Sequence, residues 1–513
     1  MSGALAALAL PPAGFSAVVW VALVPLLWSL HRCRSLRAAF ACGYLSGVVF
    51  FLLTIYPMVS AHSWSGWAAE APAMFARRMS RQWWFMHAVW VLFALGCALW
   101  WGAWAAAVHQ LAGGRPWRWL IAASAGWVLL AEWARAQLTF GSTWMFLGYA
   151  TADLGAIRQL AALGGVWFLS ALVAAVNAGV AWGVFHRRDP SWWRMPAVVL
   201  FVVGAGTGYG LRALNQRSEP QPGIPVAAMQ VHQDAYALKD FSSIGLDRNY
   251  EPMVRDALAS KAVLVVLPES VALGALTLDG TASRTKPPEW QFPRASWDAA
   301  VGRMLAGDAA AVVIGLDTVE AGQDHNTLVA WTSSGMAGWY HKRRLVPFSE
   351  YRPPGWGGWL LSGQSQYVRG HGVQLIRVNG LMLGGFICQE VLLPRLIRAS
   401  VLEGADVLVS GGNDGVFSDP AVAQVHADAA QLRAIEAGRY LVRAMKTGIT
   451  AVIDPWGREV TRSRSSEPVL LSARIEPRTQ VTPYARWGDW VVAVAAGALM
   501  ALGAAVWKER QAP

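Results

Sequence analysis

Cys388 closes an apolar run within Gly-Gly-Phe-Ile-Cys-Gln-Glu (384–390), and two comparable elements precede it. Leu-Pro-Glu-Ser (267–270) carries Glu269, and Tyr-His-Lys-Arg-Arg-Leu-Val-Pro-Phe (340–348) carries Lys342. A thiol, a carboxylate and an ammonium in this arrangement form a possible nucleophilic triad, in which the thiolate would be the attacking group. A free thiol is mostly protonated at neutral pH, so something must take its proton or stabilise its charge. Glu269 is the candidate general base. Lys342 would hold a fixed positive charge beside the tetrahedral oxyanion, with the backbone N–H after Cys388 as a second donor.

Such residues need strands to end at them and a scaffold to hold those strands. Apolar, β-branched runs recur at Pro225–Val231, Ala262–Leu267, Ala309–Leu316, Asn326–Thr332, Leu381–Ile387, Ala405–Ser410 and Gly448–Ile453, with helical stretches such as 421–438 between several of them. This pattern predicts an α/β domain with a buried sheet over residues 213–485. Each of the three chemical residues follows such a run at its C-terminal end, where α/β sheets usually hold ligands.

The remainder of the chain is a different material. Hydrophobic residues make up 55% of 513 and charged residues 15%, which reads as an integral membrane protein. Residues 1–212 are nearly free of acids and predict a multi-span α-helical membrane domain; 486–513 predict a C-terminal span and a cytoplasmic tail. Candidate spans are 16–30, 39–57, 84–108, 119–134, 163–185, 195–211 and 487–507, judged against the about 20 apolar residues that a bilayer crossing needs. The first twelve residues are apolar but too few to cross alone, and they read as the stub of a further helix rather than a cleaved signal peptide, since no basic segment precedes them.

The net charge of +11 does not point to nucleic acid, because the Arg residues cluster in short connectors between spans. Arg32, Arg34, Arg37, Arg115, Arg118, Arg187, Arg188, Arg194, Lys508 and Arg510 then belong on the cytoplasmic face, and the 213–485 domain on the opposite one. Arg77, Arg78 and Arg81 break this rule; beside Trp64, Trp67, Trp83 and Trp84 they read either as an amphipathic segment on anionic headgroups or as a solvated loop. Glu132 and Arg135, at one end of a span, read as a buried ion pair or a headgroup contact, and the Trp excess as interfacial belts. Cys33, Cys42 and Cys97 are packing residues, and the sequence offers no disulfide framework or metal spacing.

At its chemical residues the chain resembles the nitrilase, or carbon–nitrogen hydrolase, superfamily: a Glu after a strand, a Lys before a Leu-Val-Pro-Phe-like turn, and a Cys followed two residues later by Glu. Leu-Val-Pro-Phe-Ser-Glu (345–350), Asn-Asp (413–414), Arg-Ala-Ile-Glu (433–436), Gly-Ile-Thr-Ala-Val-Ile (448–453) and Thr-Pro-Tyr-Ala-Arg (482–486) extend the likeness. With spans on both sides, the chain is most similar to the apolipoprotein N-acyltransferase family. That resemblance implies about eight spans around a periplasmic α-β-β-α sandwich in the bacterial inner membrane, a phospholipid acyl donor, a lipoprotein acceptor, and no cofactor or metal. It also implies that Glu269, Lys342 and Cys388 form a triad supported by Glu350 and Glu390. His232, His341 and His426 offer a Cys–His alternative that the order of the motifs disfavours. Gln389, Asp240 and Val416 stand where the family usually has Tyr, Trp and Trp, positions that concern the acyl chain and pocket access more than bond-making. An anchored amide hydrolase and a diverged protein of conjugal-transfer clusters, catalytic or vestigial, share the architecture.

Overall fold

The computed structural model describes the chain apart from residues 59–71, 140, 142, 217–222, 232–249, 273, 348, 352–365, 418–419, 465–466 and 513, with backbone alone at 58, 72–83, 85–86 and 416. It divides into a helical unit (Met1–Arg217, Phe417–Leu432 and Thr482–Pro513) and an α/β unit (Ser218–Val416 and Arg433–Val481).

In the helical unit, five described helices are long and apolar enough to cross a membrane: Leu36–Ile55, His87–Ala112, Ile157–Phe185, Arg194–Asn215 and Trp490–Gln511. Ser35 starts the first of them, its side chain accepting from the Ala38 N–H at 3.2 Å. The span expected at 119–134 is part of a longer helical run. Pro116–Gly126 continues through a π-helical stretch, Trp127–Ala134, into Arg135–Leu138. The shorter segment near 16–30 resolves into a tight turn, Ser16–Trp20, and a helix, Val24–Arg32. The basic residues Arg77, Arg78 and Arg81 are helical rather than in a loop, inside Pro72–Ala112; Trp64 and Trp67 lie outside the described residues.

One expectation needs correction, and a second resolves toward its buried alternative. Trp101, Trp104 and Trp127 are core residues, not belt residues: their rings meet edge to face at 4.8–4.9 Å, and Trp104 donates to the Ala123 carbonyl at 3.0 Å. Glu132 and Arg135 are both buried, and each finds partners within the protein. Glu132 accepts from Trp127 Nε1 at 2.9 Å and Leu147 N–H at 2.8 Å, while Arg135 donates to the carbonyls of Ala131 and Trp144 and lies over the rings of Phe51 and Phe146.

The α/β unit holds two sheets. The first contains β1 (Ile224–Gln230), β2 (Leu264–Val266), β3 (Ala275–Thr277), β4 (Gln291–Pro293), β5 (Ala311–Glu320), β6 (Gln323–Thr332) and β7 (Gly335–His341). The second contains β8 (Leu375–Val378), β9 (Leu381–Ile387), β10 (Val407–Gly412), β11 (Leu441–Met445), β12 (Ala451–Ile453) and β13 (Glu459–Arg462), after which β14 (Val469–Ile475) returns to pair antiparallel with β1. Strands β1, β2 and β5 are parallel, as are β9, β10 and β11.

One apolar cluster joins the facing sides of the two sheets, with Val226, Val266, Val313 and Leu328 from the first and Leu383, Ile387, Val409 and Val442 from the second. A second cluster covers the outer side of the first sheet, where Val254 and Ala257 of helix Glu251–Ala259 and Trp297, Val301 and Leu305 of helix Arg294–Leu305 pack on Val265, Val312 and Ile314. Ser400, from helix Pro394–Leu402, lies over Gly384 on the outer side of the second sheet. The layers run helix, sheet, sheet, helix.

Candidate active site

Glu269 follows β2 by three residues, Lys342 follows β7 directly, and Cys388 follows β9 directly. Strand β2, nearly all of β9 and the last two residues of β7 are buried, and the residues that follow them converge. Gly315 and Gly412 permit the approach. A Cβ on Gly315 would lie 2.4 Å from the Pro268 carbonyl and 2.6 Å from Glu269 Cα; one on Gly412 would meet the Met445 side chain at 2.7 Å and Cys388 Cα at 3.4 Å.

Backbone strain sits at two of these corners. Cys388 has φ 52° and Ser270, next to Glu269, φ 54°. Non-glycine residues reach this left-handed region at a cost of about 1–2 kcal/mol, and such strain gathers at functional sites. Beyond Cys388 the chain makes a short 3₁₀ turn, Cys388–Leu392, that keeps the thiol at the strand end.

The charged groups form one buried network. Lys342 Nζ donates to Glu350 Oε1 at 2.7 Å and lies 3.5 Å from Glu269 Oε1. Asn326, inside β6, donates from Nδ2 to Glu269 Oε1 at 2.6 Å and to Glu350 Oε1 at 3.0 Å, bridging the two acids. Glu350 also accepts from the Val346 N–H at 2.8 Å, which closes the turn after Lys342. Glu390 is fully buried and accepts four hydrogen bonds, from Ile387 N–H, Tyr340 Oη and the Arg343 and Arg344 N–H groups, at 2.8–2.9 Å. It ties the turn after Cys388 to the segment after Lys342.

The electrostatics assign distinct states to these groups. Burial pushes the Cys388 thiol well above its usual range, with Glu269 adding to the shift and Lys342 opposing it, so at rest the sulfur keeps its proton. Burial also raises Glu269, partly offset by Lys342, which makes its carboxylate a stronger base than a surface glutamate. Burial alone would lower Lys342, yet Glu350, Glu269 and Cys388 together hold it above the ordinary lysine range, permanently charged. Glu390 is raised by burial, with Lys342 and its donors pulling the other way. Lys446, after β11, donates to the Ser270 carbonyl at 2.9 Å and burial pushes it down to about 7.

All five residues singled out from the sequence lie in this region; Asn326 and Lys446 were missed. An amide inside a strand and a lysine after an apolar run resemble ordinary polar positions, and only the sheet register reveals their neighbours. The described histidines do not join the network: His341 turns to Thr327 and Glu320, and His426 packs on Trp144 in the helical unit at 5.2 Å. His232 and Asp240 lie outside the described residues, as does the side chain of Val416. Gln389 is half-buried. Asp414 pairs with the buried Arg443 at 3.4 Å and its N–H donates to the Thr447 carbonyl, bracing the loop after β10.

Two family models match the chain, the carbon–nitrogen hydrolase domain over residues 226–484 and the apolipoprotein N-acyltransferase N-terminal domain over residues 2–179. An apolipoprotein N-acyltransferase of Gloeobacter violaceus is 32% identical, with 98% of this chain and 92% of the relative covered. One of Pseudomonas syringae pv. tomato is 28% identical, with 96% and 93% covered. Among solved structures, an amidase from Nesterenkonia sp. aligns with 54% of this chain and 97% of its own at a TM-score of 0.39 and 16% identity. With both domain models matched in order and relatives aligned along nearly the full length, the chain belongs to the apolipoprotein N-acyltransferase family.

Proposed function

We propose that this chain is a membrane N-acyltransferase that moves an acyl chain from a phospholipid, through a thioester on Cys388, to the N-terminal amine of a lipoprotein. The observation that carries this reading is the buried network in which Lys342 is held charged between Glu269 and Glu350, at the strand ends where Cys388 stands in a strained backbone.

In the first half-reaction Glu269 takes the Sγ proton and the thiolate attacks the ester carbonyl. Lys342 balances the oxyanion as it forms. Collapse breaks the ester C–O bond, and Glu269 returns the proton to the departing lysophospholipid oxygen. In the second half-reaction a neutral amine attacks the thioester carbonyl. Glu269 takes a proton from the nitrogen, the C–S bond breaks, and the proton passes to the sulfur. A thiol that rests protonated suits this cycle, because it ionises only when a carbonyl and the lysine charge are both in place. Glu350 and Glu390 act as supports, the former fixing Lys342 and the latter the turn after Cys388. Lipid-borne substrates account for the apolar helices, and the distribution of basic connectors favours a bacterial inner membrane with the α/β unit on the periplasmic side.

Mass spectrometry of protein purified from membranes without acceptor tests the covalent step. A hydroxylamine-sensitive acyl adduct on Cys388 is expected in the wild type and absent in Cys388→Ala. Lys342→Ala should slow acylation on the order of a hundredfold or more, as loss of an oxyanion donor does, without comparable loss of phospholipid binding. An active Cys388→Ala enzyme with no adduct in the wild type would remove the mechanism.

A further inference from the structure

We propose that Glu320, His325 and His341 form a binding site for a divalent transition metal of the zinc class on the face of the strand pair opposite Asn326 and Lys342. The three residues come from three adjacent strands of the first sheet, β5, β6 and β7, and their ligand atoms lie within 4.8 Å of one another. Strand register explains the gathering: Thr318 lies opposite His325 and Thr327 opposite His341, while Glu320 is two residues beyond Thr318 on the same face. The alternation that turns His325 and His341 to this face turns Asn326 and Lys342 to the other.

The second layer of contacts is that of metal-binding histidines. His325 donates from Nδ1 to the Val368 carbonyl at 2.9 Å, which fixes the tautomer and leaves the Nε2 lone pair open. His341 has Nδ1 2.8 Å from Thr327 Oγ1, itself 2.6 Å from Thr318 Oγ1, and Nε2 3.1 Å from Glu320 Oε2. On metal binding the His341 ring proton moves from Nε2 to Nδ1, where the Thr327 hydroxyl accepts it, so the neutral ring offers Nε2 without losing a proton.

Two imidazoles and one carboxylate suit zinc or cobalt, with a fourth position open to water. Ligands about 2.0–2.1 Å from a tetrahedral zinc stand about 3.4 Å apart, so binding draws the donors together. Glu320 is free to make that movement, its side chain being 42% exposed. The rings, stacked at 4.3 Å with 27° between their planes, must tilt apart. A bound metal would clamp the three strands behind Lys342.

The test uses full-length, untagged protein in detergent, in a Cys388→Ala background so that the active-site thiol cannot hold metal. After chelator treatment, samples are dialysed against zinc and the metal content measured. The expected result is one more zinc per chain than in Glu320→Gln or His325→Ala, with a zinc-dependent rise in melting temperature that both variants lack. Glu320→Gln keeps the packing and separates metal loss from misfolding. Cobalt should give the visible absorption of a tetrahedral site, lost in the same variants. Equal zinc content in all three proteins would overturn the proposal, and none of these readouts depends on acyl transfer.

Discussion

Lys342 and Lys446 are buried ammonium groups in one site with opposite fates, and the difference lies in what faces them. Lys342 lies against two carboxylates and stays charged, whereas Lys446 donates to the Ser270 carbonyl and burial, against the weaker pull of Glu269, lowers it to about 7 from an ordinary value of 10.5. Below pH 7 both folded and unfolded chains carry the Lys446 proton, and folding bears the full cost of burying it. Between pH 7 and 10.5 the unfolded chain holds a proton that the folded chain has released, so this residue's contribution to stability rises with pH across that window. Lys446→Met removes the titration. The melting temperature of the wild type relative to Lys446→Met should therefore increase from pH 6 to pH 9.5, and a difference that does not change with pH would show that the lysine is charged throughout.

At the scale of elements, the strand ends place the chemistry, and glycines allow them to meet. Gly315→Ala would force backbone against backbone at Pro268 and Glu269, which no side-chain rotation relieves. Overpacking of this kind costs about 1–3 kcal/mol; the variant should lose stability in that range and lose acylation rate more steeply, because the displaced residue is Glu269. Unchanged rates at reduced stability would separate the glycine from the site. The runs ending near Glu269 and Cys388 were legible because strands buried on both faces read as continuous apolar sequence. Less apolar strands were not: β7 reads Gly-Met-Ala-Gly-Trp-Tyr-His, β13 reads Glu-Val-Thr-Arg, and β11 carries the buried Arg443 in its middle. The π-helical turn at Trp127–Ala134 has no counterpart in hydropathy, since it changes hydrogen-bond spacing without changing composition. Asn326 and the Glu320, His325 and His341 group escape for a third reason, because register between strands decides what they touch.

For the molecule as a whole, the membrane helices and the α/β unit must serve one reaction if both substrates are lipid-bound, and this sets the final expectation. The positive-inside bias of the basic connectors leads us to expect Lys508 and Arg510 in the cytoplasm and the α/β unit outside it. A reporter fused after Gly223 should therefore signal a non-cytoplasmic location and one at the C-terminus a cytoplasmic one. Within that topology, Gln389 is the most informative departure from the family pattern, since it is half-buried and adjoins Cys388 yet supplies none of the four hydrogen bonds that hold Glu390. Bond-making should thus survive the change, and the wild-type chain should restore lipoprotein N-acylation in cells depleted of their own enzyme. Rescue by Gln389→Tyr alone would mean that Cys388 is acylated but the acceptor is poorly held. Failure of both, with Cys388 still acylated in each, would place the second half-reaction with a different amine. Failure of both without an adduct would count against the donor half-reaction itself.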